Sequence, residues 1–305
     1  MSPIPQDGAA DIQAYNDELE SLGTMSWHNS PWLYTECYLY RRIQTCFARR
    51  ATRFWKCYDV FGRQKARALT SSKASVVELL QFLRGAIDTD ERHASALLQE
   101  MLEISLWGNS VDLLLLVHLS AEELQGRQGK QARESFKQNV VDDDTEEVCN
   151  FVSGLKDATR TREIHVVLDN AGFEFFADLI LVVYLLATNY ASVVVLHGKA
   201  FPWFVSDVTE GDVAFTLEAL ANAAFSGDVS EAEAAEMTHF GATLAKLLEA
   251  GQLRYESHPF WTTQHCFARM REEAPDLWAS LVSSELVIFK GDLNYRKLVF
   301  DGLWP

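Results

Sequence analysis

The sequence lacks a cysteine pair, a membrane-length apolar run and a surplus of positive charge, and each absence argues against a class of protein. The five cysteines form no Cys-x-x-Cys motif, and their odd number favours free thiols over a disulfide framework. The longest apolar run, 179–188, is about half of a membrane span. With 27 basic and 43 acidic residues the formal charge is -16, whereas a general nucleic-acid binder is usually basic. We therefore expect a soluble cytoplasmic protein, with the nucleus as a second location, that binds neither membrane nor nucleic acid.

Motifs of several common enzyme classes are also missing. The eight histidines show no His-Glu-x-x-His spacing, and the chain has no Gly-x-Ser-x-Gly elbow and no Walker loop. The first residues lack the basic and apolar regions of a secretory signal. These absences argue against a zinc protease, an elbow-type serine hydrolase and a P-loop nucleotidase.

The first half of the chain has a helical pattern. Apolar residues recur at helical spacing in 75–87 and 94–106, and 33–55 has no Gly or Pro. From 121 to 147 the composition becomes polar and charged, which is typical of a loop or linker. We predict a helical subdomain with its linker over 1–150 and an α/β domain over 151–305.

Strands and helices alternate in the second half. The near-continuous apolar runs fit strands that are covered on both faces. This order predicts an α/β fold in which the helical subdomain precedes a three-layer α/β/α sandwich with a mainly parallel sheet. The predicted strands are 164–169, 192–197, 285–290 and a short one ending at Asp207, and the predicted helices are 173–189, 211–225 and 231–250.

Carboxylates follow three of these strands. They are Asp169, Asp207 and Asp292, and Asn170 comes directly after the first of them. Ligands of an open parallel sheet bind outside the carboxyl ends of the strands, so these side chains are expected to converge. Carboxylate and amide oxygens without His or Cys suit Mg²⁺ or Mn²⁺ rather than zinc. Helix capping by Asp169, Asn170 or Asp207 is the alternative explanation.

The segment Lys290-Gly291-Asp292-Leu293-Asn294-Tyr295-Arg296-Lys297 combines three cations with acid and amide groups after a buried strand. We predict a loop that binds a phosphorylated sugar. The cations would hold the phosphate, Asp292 and Asn294 would bond hydroxyls, and Gly291 would permit a tight turn. A solvated polar loop is the alternative.

One stretch is basic in this acidic protein and has aromatic neighbours, which is its one nucleic-acid-like feature. A helix with a charged, solvated face is the more common origin of such a stretch, and Arg41 or Arg42 facing an anionic ligand is another. The basic residues are Arg41, Arg42, Arg49, Arg50, Arg53, Lys56, Arg63, Lys65 and Arg67.

Five motifs together resemble the damage-control phosphatase family, from about residue 26 to 300. The similarity is to the eukaryotic sugar-phosphate phosphatase branch, which is also described as a protein-glutamate methyltransferase. The motifs are Ser30 to Arg42, Ser105 to Asn109, Leu168 to Glu174, Pro202 to Asp207 and Lys290 to Leu298.

The resemblance implies a metal-dependent phosphoric monoester hydrolase that acts on fructose 1-phosphate or fructose 6-phosphate in metabolite damage control. Asp169, Asn170 and Asp207 would hold Mn²⁺, Co²⁺, Ni²⁺ or Mg²⁺, with Asp169 and Asp207 as the catalytic residues. The residues expected on the substrate are Glu174, Asp292, Leu293, Asn294, Tyr295 and Arg296, and Glu36, Arg41, Asn109 and Lys290 are further candidates on the substrate side.

Two departures from the family pattern affect what we expect of the chain. It has neither the preceding helical segment with a Lys-Asp-Arg stretch nor the following Arg-Thr-x-Lys motif. We therefore expect a chain truncated at both ends, with a C-terminally incomplete phosphatase domain over 151–305. A catalytically impaired phosphosugar-binding relative is the main alternative. A methyltransferase dependent on S-adenosylmethionine is less favoured, because the glycine-rich turn that it needs is not evident. We expect a monomer.

Overall fold

The computed structural model describes residues 1–50, 52–88, 94–108, 139–157, 160–222 and 229–301. None of the helices in these ranges is long and apolar enough to cross a membrane. Numbered over these ranges, the helices are α1 (Asp11–Ser21), α2 (Trp32–Ala48), α3 (Arg53–Lys56), α4 (Gly62–Thr70), α5 (Lys73–Ile87), α6 (Ala94–Leu106), α7 (Thr145–Gly154), α8 (Phe173–Ala187), α9 (Glu210–Ala221), α10 (Glu231–Glu249), α11 (Met270–Glu273), α12 (Pro275–Ser283) and α13 (Gly291–Leu298).

In the described residues, a four-stranded parallel sheet forms the centre of the fold. Its strands are β1 (Glu163–Val167), β2 (Val193–His197), β3 (Leu253–Glu256) and β4 (Leu286–Phe289), in the spatial order β3-β2-β1-β4. The central strand β1 pairs with β2 on one side and with β4 on the other. The carboxyl ends of β1, β2 and β4 therefore lie side by side at one edge.

The two faces of the sheet carry different layers of helices, because alternate side chains of a strand point to opposite faces. Ile164 and Val166 pack in the main core with residues of α5, α6, α8 and α10. Val167 packs on the opposite face with residues of α11 and α12. These three layers, together with the helical N-terminal region, confirm the predicted α/β class and parallel sheet.

The main core crosses the predicted boundary near residue 150. Leu69 of α4, Val76 of α5 and Met101 of α6 belong to the same buried cluster as the strand residue Ile164. The division into 1–150 and 151–305 stays a prediction, but the two parts share one core. Most of the predicted linker, 121–138, lies outside the described residues.

The predicted strand ending at Asp207 is wrong. Residues 203–206 form a turn in which Phe204 and Val205 have φ angles of 41° and 68°, and Asp207 makes only an isolated antiparallel bridge with Asn170. Aromatic packing over the turn, with Tyr40 stacked on Phe204 at a centroid distance of 5.0 Å, opposes the strain of these left-handed conformations. The aromatic and β-branched residues before Asp207 indicated a strand, because strand propensity does not take this tertiary packing into account.

Two further predictions of secondary structure need correction. The segment predicted as a polar loop after β4 is the helix α13, which begins at Gly291. The predicted helix 33–55 breaks after Ala48, and a short helix follows from Arg53. The edge strand β3 was not predicted, since four residues with two charges do not make a strand pattern.

The proposed role of Arg41 on the substrate side is also contradicted. Arg41 is buried, and its guanidinium is 2.8 Å from Asp7 and 2.6 Å from Asp11. It also donates to the hydroxyl of Thr45 at 2.7 Å. These contacts fix the N-terminal residues to α2 and leave the cation unavailable to an anionic ligand.

We expect Arg41→Ala to lower the free energy of unfolding by about 2–4 kcal/mol, because it leaves the Asp7 carboxylate buried without its partner, while Asp11 is partly exposed. Urea unfolding followed by circular dichroism measures the change. Arg269→Ala removes an exposed cation of a surface ion pair with Glu273 and serves as the control. A loss as small as that of the control would contradict this role of Arg41.

Candidate metal centre

The Asp169 carboxylate lies against the main chain of Gly291. Asp169 follows β1 and Gly291 follows β4, so the pairing of these two strands brings them together. A Cβ atom at position 291 would be 2.1 Å from the Asp169 Cγ, and the φ of Gly291 is +83°. Position 291 therefore requires glycine both for its backbone conformation and for the space that Asp169 occupies.

The side-chain amide of Asn170 has a defined orientation. Its Nδ2 donates to Asp169 Oδ2 at 2.7 Å and to Glu174 Oε2 at 2.9 Å. Its Oδ1 accepts a hydrogen bond from the hydroxyl of Ser206. Because Glu174 is in the first turn of α8, the amide connects the end of β1 to that helix.

Asp207 reaches the same edge through main-chain hydrogen bonds between its segment and residues 169–171. Val208 N donates to Asp169 O at 2.9 Å, and Ala171 N donates to Ser206 O at 2.7 Å. The Lys199 ammonium lies 3.1 Å from Asp207 Oδ2 and donates to Leu168 O at 2.9 Å. The structure thus brings Asp169, Asn170 and Asp207 together, as the sequence predicted.

The carboxylates at this edge are crowded and poorly solvated. Burial, and then the charges of Asp207 and Glu174, raise the pKa of Asp169 to about 8. Burial also raises the pKa of Asp207 against the opposing charge of Lys199, and the pKa of Glu174 against that of Lys290. A cation bound here would relieve this repulsion, so the electrostatics fit a positively charged guest.

The oxygen atoms at this edge fit a hard divalent cation only if the side-chain amide oxygen of Asn170 is one of the ligands. Within the described ranges, no three His, Cys, Asp or Glu side chains form by themselves a group that could hold a metal ion. The available donors are the carboxylates of Asp169 and Asp207 and Oδ1 of Asn170. Such oxygen ligands suit Mg²⁺ and Mn²⁺, with water and substrate completing the coordination.

The polar residues of α13 and its N-cap divide into buried and exposed groups. Lys290 Nζ is 2.7 Å from Asp178 Oδ1 and 3.4 Å from Glu174 Oε1, so buried acids neutralise it. Asn294 donates to Lys290 O at 2.7 Å, and Leu293 is buried in the aromatic cluster of the N-terminal helices. The exposed side chains of Asp292 and Tyr295 remain for a ligand.

Arg296 is held next to Trp32 and Glu36. Its guanidinium carbon lies 4.4 Å from the centre of the Trp32 ring, and it forms ion pairs with Asp292 at 3.5 Å and Asp301 at 2.8 Å. Burial and then Asp292 raise the pKa of Glu36, while Arg296 lowers it. These charges form a second polar group close to the carboxylates. The remaining candidate, Asn109, lies outside the described residues.

Two residues of the centre were missed in the sequence. Lys199 comes two residues after β2, and Ser206 comes directly before Asp207. The position of Lys199 just beyond a strand was an available signal. Ser206 gave none, because its hydrogen bond to Asn170 depends on the turn at 203–206.

The sequence matches the family model of the damage-control phosphatase ARMT1-like domain over residues 5–305, so the chain belongs to this family. This confirms the resemblance in the sequence motifs. The chain is 36% identical to damage-control phosphatase ARMT1 of Xenopus laevis over 289 residues, which are 92% of this chain and 63% of that protein. It is also 36% identical to the Homo sapiens protein of the same name over 295 residues, which are 93% of this chain and 63% of that protein.

The chain therefore spans a little under two thirds of the length of these relatives. Among solved structures it resembles the crystal structure of a DUF89 family protein from Pyrococcus horikoshii. That similarity has a TM-score of 0.49 at 14% identity and covers 94% of this chain and 77% of the other.

In the metal-free protein, the free energy of unfolding should fall as the pH rises, and Asp169→Asn should make this fall smaller. The pKa of Asp169 is raised from 3.8 to about 8 in the fold, so the folded state keeps a proton that the unfolded chain releases. Stability contributed by this proton is therefore lost as the pH rises from about 4 to about 8. Urea unfolding of chelator-treated protein across this range measures the slope, and equal slopes for both proteins would refute the raised pKa of Asp169.

Ser206→Ala should weaken divalent-cation binding about 10- to 100-fold, as observed when groups that orient metal ligands are removed. The physical reason is that the Asn170 amide loses the donor that fixes its oxygen. Calorimetric titration with Mn²⁺ measures the affinity. Ser283→Ala, an exposed serine on α12, is the control, and an unchanged affinity in both variants would show that Ser206 has no orienting role.

Proposed function

We propose that this chain is a metal-dependent phosphatase that hydrolyses phosphorylated small metabolites in metabolite damage control. The observation that carries the proposal is the convergence of Asp169, Asn170 and Asp207 at the carboxyl edge of the parallel sheet. Membership of the damage-control phosphatase family supports the reaction class. Fructose 1-phosphate and fructose 6-phosphate are the proposed substrates.

The proposed cofactor is a divalent cation, Mn²⁺, Co²⁺, Ni²⁺ or Mg²⁺, held by Asp169, Asn170 and Asp207. When bound, such an ion polarises phosphoryl oxygens and neutralises charge that develops during transfer. The raised pKa of Asp169 supports the presence of a cation in the working protein, because neighbouring carboxylates and burial disfavour its ionised form.

The protein's own residues have separate tasks in this proposal. Lys199 holds the Asp207 carboxylate in place, and Asn170 joins Asp169 to Glu174. Asp292 and Glu36 are available to sugar hydroxyls, and Arg296 is the cation nearest to them that is accessible to a phosphate. We further propose that the protein is a cytoplasmic monomer. Free cysteines, of which the chain has five, are typical of the cytoplasm.

The scarcity of accessible cations supports the second candidate, a phosphosugar-binding relative with impaired catalysis. Lys290 is paired with Asp178 and Glu174. Lys297 is buried and donates to Thr263 O at 2.6 Å and to Trp261 O at 3.4 Å. Of the three cations that the sequence placed beside the phosphate, only Arg296 is not buried. Preorganised positive charge is a main source of phosphoryl-transfer catalysis.

We expect the chain to release phosphate from fructose 1-phosphate or fructose 6-phosphate only when a divalent cation is added. Asp207→Asn should lower the rate of this release by at least about 100-fold. The change removes a charged metal ligand but leaves Lys199 an oxygen partner. Asp276→Asn, at an exposed aspartate of α12, is the control. The assay measures free phosphate after chelation and titration of each metal.

Calorimetry with the same metals and sugar phosphates separates the two candidates. Metal-dependent binding without phosphate release would support the impaired relative over the phosphatase. Activity that survives complete chelation, or that Asp207→Asn leaves intact, would refute the proposed metal centre.

A further inference from the structure

An exposed patch lies at the junction of α2 and α3, and its aromatic and basic side chains have no role in the candidate metal centre. We define the basic aromatic patch as Arg50, Arg53, Phe54, Trp55, Lys56 and Tyr58. All six residues are exposed. The patch includes part of the basic stretch that is the one nucleic-acid-like feature of the sequence.

The rings of the patch form one contiguous cluster at the surface. Phe54, Trp55 and Tyr58 are 66%, 44% and 38% exposed. The ring centroids of Phe54 and Trp55 are 5.2 Å apart, those of Trp55 and Tyr58 are 5.4 Å apart, and those of Phe54 and Tyr58 are 5.7 Å apart. Phe47 of α2 supports them from below, with its ring centroid 5.7 Å from that of Tyr58.

The charge of this region is opposite to that of the whole protein. Residues 49–67 contain seven basic residues and one acidic residue, in a chain with a formal charge of -16. The only acid, Asp59, is paired with the buried Lys65. In the part of the chain that the structure describes, the basic side chains of the patch have no acidic partner, so their charge is unneutralised.

A solvated helix face explains the exposed cations but not the rings. Charged residues favour water, whereas three adjacent large aromatic rings at the surface keep apolar area in contact with it. Contiguous exposed apolar area surrounded by polar residues marks interaction sites. The combination of Trp, Tyr and Arg is also the combination enriched among the residues that contribute most to protein interfaces.

We propose that the basic aromatic patch is a docking surface for an acidic segment of a partner protein, with apolar side chains between its carboxylates. The carboxylates would pair with Arg50, Arg53 and Lys56, and the apolar side chains would cover the rings of Phe54, Trp55 and Tyr58. Charge complementarity selects the partner, since the patch repels cationic segments and its unpaired cations attract anionic ones.

A single-stranded nucleic acid is the less favoured occupant. Proteins that bind it stack successive bases on separate aromatic side chains along a positively charged groove. Here the three rings contact one another in a single compact cluster, which leaves no row of separate platforms. The acidic remainder of the chain also opposes an extended polyanion.

The test uses a fluorescein-labelled synthetic peptide in which Glu and Leu alternate, titrated with the full chain and followed by anisotropy. We expect saturable binding that weakens as the salt concentration rises from about 50 to about 200 mM. Phe54→Ala with Trp55→Ala, and separately Arg50→Glu with Arg53→Glu, should each weaken binding at least about tenfold.

Matched controls exist on α11 and α12, which contribute no residue to the patch. Trp278→Ala removes a tryptophan that is 40% exposed, close to the 44% of Trp55, and Arg271→Glu reverses an exposed cation of α11. These controls should leave peptide binding unchanged. All variants should keep the circular dichroism and the metal affinity of the original chain, because the patch lies outside the candidate metal centre.

Three results would overturn the proposal. One is the absence of saturable peptide binding, or binding that the patch variants do not weaken. Another is tighter binding of a thymidine oligonucleotide than of the peptide, which would assign the surface to nucleic acid. The third is patch-dependent self-association in sedimentation velocity, which would make a second copy of the chain the occupant.

Discussion

The main-chain hydrogen bonds between residues 169–171 and 206–208 are the constraint on which the candidate metal centre depends. They hold the turn at 203–206, which contains two residues in left-handed conformations, against the end of β1. These bonds place Asp207 beside Asn170 and align Ser206 with the amide oxygen. A centre built across two separate segments thus acquires a rigid geometry from the backbone, and side-chain packing by Tyr40 and Phe204 reinforces it.

Buried cations provide the second level of organisation. Lys65 neutralises Asp59 and Asp212 and donates to Asp207 O at 3.2 Å, while Lys290 neutralises Asp178. Each is a buried charge with a partner, so removing either member of a pair leaves an unpaired charge in the interior. Several cations of this acidic protein are thus buried in internal ion pairs. Among the exposed cations of the described residues, Arg50, Arg53 and Lys56 lie together at the basic aromatic patch, which makes that surface electrostatically distinct.

Much of the fold and the position of the centre could be predicted from the sequence, because both depend on local patterns. Apolar runs identified β1, β2 and β4, and parallel strands bring their carboxyl ends to one edge. The partners of individual cations could not be predicted in this way. Whether Arg41 or Lys290 faces a ligand or a buried acid depends on partners that are distant in sequence, such as Asp7 and Asp178. The helix α13 was missed for a related reason, since its polar residues resemble a loop until Leu293 and Asn294 are seen to pack inside.

The contact between Asp169 and Gly291 restricts how this protein can change. A side chain at position 291 would need the volume of the Asp169 carboxylate, so any larger residue there displaces the group at the middle of the centre. The residue at position 291 therefore limits where the side chain of Asp169 can lie. A variant or relative that carries a side chain at the position of Gly291 would therefore have lost this arrangement of oxygen donors, even with Asp169, Asn170 and Asp207 all present. Glycine at this position is thus a diagnostic of the site that an inspection of its polar residues alone would miss.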